Sequence, residues 1–145
     1  MKLDDFLSLD EQKRIVEAIA EAERMTSGEI RVHVTPTCDG DPLEQAREVF
    51  AQLEMYKTRQ RNGILLFLAF ESRKFAIVGD EGIDNVVPDD YWNSERDTLM
   101  GFLKRGEAAR GIEGVIRSFG EKLKAHFPIE EDDVDELSNE ISYAD

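Results

Sequence analysis

The chain has 145 residues, of which 32 are acidic and 18 basic, and its formal net charge is -14. This length predicts one domain. The charge argues against nucleic acid and against anionic membranes, because both require a basic surface, and leaves divalent cations or basic proteins as candidate partners. The single cysteine excludes an intramolecular disulfide. No apolar run is long enough to cross a bilayer. The N-terminus lacks the basic and apolar regions of a signal peptide, so we expect a soluble, cytoplasmic protein.

The first part of the sequence predicts a helix, a strand and a second helix. Ser-Leu-Asp-Glu at 8–11 is a capping box, and apolar residues then recur at helical spacing until Ser-Gly at 27–28. Residues 29–35 alternate strictly between polar and apolar, which predicts a strand with one buried face. Asp-Pro at 41–42 predicts the start of the next helix.

The middle of the chain predicts a hairpin followed by two helices. The continuous apolar run 64–70 is typical of a central strand that is covered on both faces. A polar turn at 71–74 leads into its antiparallel partner at 75–78. Helical spacing of apolar residues then predicts helices over 93–104 and 107–125.

The closing segment, residues 129–145, is strongly acidic. From residue 130 onward it carries eight acidic residues and no Lys or Arg. Val134, Leu137 and Ile141 recur at helical spacing, so we expect a short helix that docks on the domain formed by residues 1–128. The alternative interpretation is that this apolar stripe binds a protein partner.

The order helix–strand–helix–strand–strand–helix–helix predicts an α/β layer fold. The first two strands are joined by a helix, so they should be parallel with a right-handed crossover. The third strand should be antiparallel to the second. This arrangement places the end of the third strand at the end of the sheet where the first two strands begin.

Residues 78–84, Val-Gly-Asp-Glu-Gly-Ile-Asp, form the strongest candidate for a functional site. Three carboxylates and two glycines follow directly after a predicted strand. Carboxylates this close repel one another unless positive charge lies between them. The predicted sheet also brings this segment near Glu29 and near Arg61-Asn62.

Asp80, Asp84 and Asp89 are the favoured ligands for Ca²⁺ or Mg²⁺, since hard cations prefer carboxylate and carbonyl oxygens. The predicted topology suggests Glu29 as a further ligand, and Glu81 is another candidate. The alternative interpretation is an ordinary polar turn before a helix, with Asp84 or Asp89 as the cap. The spacing does not match that of an EF-hand loop.

Several short motifs, in their order and spacing, resemble the TPM domain, a family of thylakoid-lumen and bacterial proteins that includes a thylakoid acid phosphatase. The motifs are Ser-Gly-Glu-Ile at 27–30, Asn-Gly at 62–63, Gly-Ile-Asp at 82–84, Asp89, Gly-Glu at 106–107 and Gly-Ile at 111–112. The resemblance covers residues 9–128.

The resemblance implies a three-layer α/β/α sandwich with a small mixed sheet and helices on both faces. It also implies Ca²⁺ at the acidic loop, and phosphatase activity of the kind attributed to some relatives. Many relatives carry a signal peptide and a membrane-spanning or low-complexity C-terminal extension, neither of which is seen in this sequence. The chain is therefore more similar to the short soluble bacterial branch of the family.

Three functional hypotheses follow. The first is a soluble domain that binds a divalent cation through Asp80, Asp84, Asp89 and Glu29. The second is a metal-dependent phosphomonoesterase, in which the cation polarises a phosphoryl oxygen or activates water. The sequence offers no nucleophile paired with a base for that reaction. The third is a protein-interaction module that uses the acidic tail.

Overall fold

The structure is a computed structural model, and it describes residues 2–129 and 141–144. Its strands are β1 (Glu29–Thr35), β2 (Gly63–Ala69), β3 (Lys74–Gly79) and β4 (Ser142–Tyr143). Its helices are α1 (Leu3–Phe6), α2 (Leu9–Glu23), α3 (Pro42–Gln52), α4 (Glu81–Asp84), α5 (Tyr91–Lys104) and α6 (Ala108–His126). The predicted succession of helices and strands is confirmed, and the short elements α1, α4 and β4 are additions to it.

The strands form one mixed sheet with the order β3-β2-β1-β4. β1 and β2 are parallel, with Glu29 opposite Gly63. β2 and β3 are antiparallel, with Ile64 opposite Gly79. Both predicted pairings are therefore confirmed. The end of β3 lies at the end of the sheet where β1 and β2 begin.

Helices cover both faces of the sheet. Successive residues of a strand point to opposite faces, so Leu66 and Leu68 of β2 lie in the larger core with residues of α2, α5 and α6. Leu65 and Phe67 lie in a smaller core with residues of α3. The fold is thus the expected three-layer α/β/α sandwich. Burial on both faces explains why β2 is apolar throughout.

Helices α2 and α3 begin at the residues that the sequence indicates, whereas α5 begins at Tyr91 and α6 at Ala108, within two residues of their predicted starts. Ser8 caps α2, and its hydroxyl accepts a hydrogen bond from Glu11 N at 3.1 Å. Asp41 caps α3 by accepting a hydrogen bond from Leu43 N at 3.1 Å. Among the described residues, no helix combines the length and the apolar character needed to cross a membrane.

The polar residues of β1 are more buried than their alternation predicts. Glu29 is 2% exposed and His33 is 9% exposed, so the expectation of one solvated face is wrong. The reason is that α3 covers this face of the sheet, and β4 also flanks β1 at His33. His33 also stacks on Phe67, with ring centroids 6.1 Å apart. A local sequence pattern cannot reveal a neighbour that comes from the far end of the chain.

The described end of the acidic segment joins the sheet. Ser142 and Tyr143 pair in parallel with His33 and Val34 of β1, and Ile141 packs against the larger core. Most of the predicted tail helix, including Val134 and Leu137, lies outside the described residues. The proposed boundary between domain and tail remains a prediction.

Helices α2 and α6 approach each other closely at Gly120. A Cβ atom built on Gly120 would lie 2.7 Å from the Ala22 Cβ atom. A Cβ atom on Gly114, in the same helix, would meet nothing within 4 Å. The two glycines therefore differ in the space around them, and only the first is required by packing.

We expect Gly120→Ala to destabilise the protein by about 1–3 kcal/mol. The added methyl group would overpack the contact with α2, and this effect exceeds the stabilisation from the higher helix propensity of alanine. Gly114→Ala is the matched control. It should stabilise the protein by up to about 1 kcal/mol through helix propensity alone. Urea unfolding of the three proteins measures both effects, and equal effects of the two substitutions would contradict the packing argument.

His33 should make stability depend on pH. Burial lowers the pKa of His33, and the nearby charge of Arg31 lowers that pKa further. Its Nδ1 atom is buried and has no hydrogen-bond partner among the described residues. A histidine with a lowered folded-state pKa is protonated more readily in the unfolded chain. Its contribution to stability is therefore present above the unfolded pKa, about 6.5, and is lost as the pH falls below it.

The measurement is the free energy of unfolding at about pH 7.5 and about pH 5.5. Between the higher and the lower pH, the free energy of unfolding of wild type should fall by up to about 1 kcal/mol more than that of His33→Phe. This variant keeps an aromatic ring against Phe67. His126→Gln is the control, since His126 is exposed at the end of α6. The same pH dependence in wild type and His33→Phe would show that another group is responsible.

Candidate functional site

The segment after β3, residues 80–90, is called the acidic turn below. It contains five carboxylates and no basic residue: Asp80, Glu81, Asp84, Asp89 and Asp90. The segment forms the one-turn helix α4, with Asp80 as its cap. Asp80 Oδ1 accepts a hydrogen bond from Glu81 N at 2.8 Å, and Asp80 O accepts one from Asp84 N at 2.9 Å. The alternative interpretation expected Asp84 or Asp89 to act as a helix cap, whereas the residue that caps α4 is Asp80.

A bidentate ion pair holds Asp80 in place. Arg61 Nε and Nη2 donate to the two carboxylate oxygens of Asp80 at 2.7 Å and 2.9 Å. Arg61 Nη1 also donates to Glu81 Oε1 at 3.3 Å. The hydrogen bond to Asp80 raises the pKa of Arg61. The Asp80 side chain is 7% exposed, so this guanidinium compensates a carboxylate that is largely removed from water.

The loop before β2 also contacts the acidic turn through backbone atoms. Gly82 N donates to Arg61 O at 2.8 Å. A Cβ atom on residue 82 would lie 2.0 Å from Gln60 O and 2.6 Å from Arg61 O, so only glycine fits. Asp80 N donates to Gly63 O at 2.9 Å, which extends the hydrogen bonding of the hairpin by one residue. The position of the turn is thus fixed from two sides.

Trp92 holds the other end of α4. Its indole Nε1 donates to Asp84 Oδ1 at 2.8 Å. The indole ring also covers Gly79, where a Cβ atom would lie 2.3 Å from the ring. Trp92 packs at the end of the core, where its ring lies edge-on to Phe119 with ring centroids 6.1 Å apart. Its hydrogen bond to Asp84 was not expected.

The predicted ligands are only partly brought together. Asp80 and Glu81 share Arg61, and Asp84 lies one helical turn from Asp80. Glu29 is buried at the same end of the sheet, but Gly63 of β2 lies between it and Asp80. Two strand spacings separate the backbones of Glu29 and Asp80 by about 10 Å.

Asp80 and Glu29 are buried, whereas the remaining carboxylates lie at the surface. Glu81, Asp84, Asp89 and Asp90 are all exposed. Within residues 2–129 and 141–144, no group of three or more His, Cys, Asp or Glu residues is assembled for a metal ion. The residues that sequence reasoning did not assign are Arg61, as the partner of Asp80, and Trp92, as the partner of Asp84. The predicted topology placed Arg61 near the turn and could not define the pair.

The chain is similar to a known family and to known structures over most of its length. A family profile described as the TPM domain matches residues 1–122. The NMR structure of the BA42 protein from the psychrophilic bacterium Bizionia argentinensis is similar over 99% of this chain and 99% of that one, with 42% identity and a TM-score of 0.89.

A second structure shows the same fold at low identity. It is the N-terminal domain of the cg2496 protein from Corynebacterium glutamicum, with 16% identity and a TM-score of 0.55. The similarity covers 79% of this chain and 70% of that one. No curated protein matches the sequence of this chain. The profile match over most of the chain, together with the similarity to BA42, confirms the resemblance seen in the sequence: this chain belongs to the TPM domain family.

Proposed function

We propose that this TPM-domain protein binds a divalent cation, Ca²⁺ or Mg²⁺, at the acidic turn. The observation that carries the proposal is the charge balance of residues 80–90. Five carboxylates lie in this segment, whereas the guanidinium of Arg61 is the cation that contacts them among the described residues. The partner of Asp84 is a neutral indole, which does not offset its charge. A hard cation would offset the remaining negative charge.

The proposed ligands differ in how freely their carboxylate oxygens can reach an ion. Asp84, Glu81 and Asp89 are exposed, and their oxygens can approach an ion from solvent. Both oxygens of Asp80 already accept hydrogen bonds from Arg61, so Asp80 contributes less unless Arg61 moves. Glu29 contributes least, because a strand separates it from the turn.

The chemistry of the donor set fits a hard cation, since all the donors are oxygens. The carboxylates are not assembled in advance, so the ion would have to draw Asp84, Glu81 and Asp89 together. That reorganisation favours an affinity at the weak end of the range for calcium sites. We expect a dissociation constant of about 10⁻⁴ to 10⁻³ M.

The direct test is a titration of ¹⁵N-labelled protein with CaCl₂ and MgCl₂ at constant ionic strength. Saturable chemical-shift changes should centre on residues 80–90. Asp84→Asn keeps an oxygen for the Trp92 indole and removes the charge, and it should weaken binding about tenfold or more. Asp39→Asn, an exposed aspartate at the opposite end of the sheet, is the matched control.

Two outcomes would contradict the proposal. One is a set of shifts that rise linearly with added salt and do not saturate. The other is equal affinity in wild type, Asp84→Asn and Asp39→Asn, which would place the ion elsewhere on this negatively charged protein.

Removal of Arg61 should strengthen cation binding. Arg61→Gln releases both oxygens of Asp80 and leaves a buried carboxylate without its guanidinium, which destabilises the protein in the absence of metal. A bound Ca²⁺ would replace the lost charge. We therefore expect Arg61→Gln to melt at a lower temperature than wild type, and to gain more thermal stability from Ca²⁺.

Differential scanning calorimetry with and without Ca²⁺ measures this effect. Arg47→Gln is the control, because Arg47 is an exposed residue of α3. An equal gain in melting temperature for Arg61→Gln, Arg47→Gln and wild type would show that Asp80 takes no part in binding.

The phosphatase and protein-interaction hypotheses remain predictions, because no contact among the described residues argues for either. The same samples can be assayed with p-nitrophenyl phosphate. Metal-dependent hydrolysis that Asp84→Asn abolishes would support the phosphatase hypothesis.

A further inference from the structure

A second candidate site lies at the opposite end of the sheet from the acidic turn. A cavity of 660 Å³ opens between the β2–β3 hairpin, the end of α5 and the start of α6. Its volume is within the range of small-molecule sites. It contains no residue of the acidic turn, so it is independent of the function proposed above.

The inner wall of the cavity is apolar. Phe6 of α1 stacks on Phe70 at the end of β2, with ring centroids 5.5 Å apart. Phe75 of β3 and Met100 and Leu103 of α5 complete this wall. Met100 is 39% exposed, so apolar surface is open to solvent here. Such a wall favours an apolar ligand body over water.

The rim of the cavity is basic, in contrast to the protein as a whole. Arg73, Lys74 and Lys104 line it, against one carboxylate, Asp5. The Asp5 carboxylate is engaged in the N-terminal cap of α1, where it accepts a hydrogen bond from Lys2 N at 2.8 Å. The Lys74 ammonium donates to Gly40 O at 3.0 Å. This leaves Arg73 and Lys104 as the cations that are best placed to meet a ligand.

Neither Arg73 nor Lys104 forms an ion pair with a carboxylate among the described residues, and both are exposed. Arg73 also has a φ angle of 56°, a left-handed conformation that is uncommon for residues other than glycine. The hairpin thus holds an arginine at the mouth of the cavity.

A smaller cavity of 340 Å³ adjoins the first along α5. The two share Arg73, Lys74, Phe75 and Met100, and the smaller one adds Pro42, Arg96 and Asp97. Arg96, Met100 and Lys104 follow one another at four-residue spacing, which places them on one face of α5. The combined groove therefore offers an apolar path that is bordered by cations at several points.

We propose that this groove binds a small amphipathic anion, that is, an apolar chain or ring that carries one carboxylate or phosphate group. The apolar body packs against Phe70, Phe75 and Met100. The acidic group lies at the rim, where Arg73 and Lys104 donate charge-assisted hydrogen bonds. The basic rim attracts the acidic group of the ligand to this groove. The rest of the protein carries a large excess of negative charge and would repel the same group.

The test uses decanoate, decyl phosphate, decanol and inorganic phosphate as probes of the intact ¹⁵N-labelled protein, below the micelle concentration of each. Decanoate or decyl phosphate should give saturable shifts at Phe70, Phe75 and Leu103, and the tighter of the two identifies the preferred acidic group. Decanol and inorganic phosphate each lack one half of the proposed ligand. Each of them should bind at least about tenfold more weakly than the tighter anionic probe.

Variants separate charge recognition from general hydrophobic binding. The double substitution Arg73→Asn and Lys104→Gln should weaken binding of the anionic probe about tenfold, with little change for decanol. Asparagine is chosen because it tolerates a left-handed backbone. The matched control is Lys13→Gln with Lys124→Gln, two exposed lysines that do not line the groove.

Three results would overturn the proposal. The first is the absence of saturable binding by both anionic probes. The second is equal binding of decanoate and decanol, which would show that the basic rim has no role. The third is an equal loss of affinity in the groove variant and in the control variant, which would indicate a general effect of net charge. Melting temperatures establish that each variant is folded.

Discussion

The bidentate contact between Arg61 and Asp80 is the interaction on which this end of the molecule depends. It joins the loop before β2 to the end of β3, and it fixes the first residue of α4. An aspartate side chain that is 7% exposed needs such a partner, because an unpaired buried charge is costly. The glycine at 82 and the indole of Trp92 then hold the remainder of the turn against the sheet. The acidic turn is therefore an anchored surface feature, and its other carboxylates project from a fixed base.

The fold could be predicted to a large extent because its main elements follow local rules. Alternation defined β1, a continuous apolar run defined β2, and caps at Ser8 and Asp41 defined the starts of two helices. The failures involve residues that are distant in sequence. The burial of His33 reflects neighbours on both sides, and β4 lies more than one hundred residues away along the chain. The Arg61–Asp80 pair has the same character, since topology brings the two residues close without specifying which groups bond.

The two ends of the sheet have opposite electrostatic character. Carboxylates crowd the end where β1 and β2 begin, whereas Arg73 and Lys104 border the cavity where β2 ends. The hairpin of β2 and β3 connects the two regions, since its turn lines the cavity and its last residue leads into α4. The two regions have no residue in common, so a cation at one end and an amphipathic anion at the other would not compete for the same side chains.

The position of β4 has a consequence for where this domain stops. The family match ends at residue 122, yet Ser142 and Tyr143 supply the outer strand beside β1. A fragment that ends at residue 122 would leave the backbone of β1 uncovered beside His33 and Val34. Open strands of this kind recruit strands from other molecules. Ser142 and Tyr143 therefore occupy a stretch of the β1 edge that would otherwise be open to another strand.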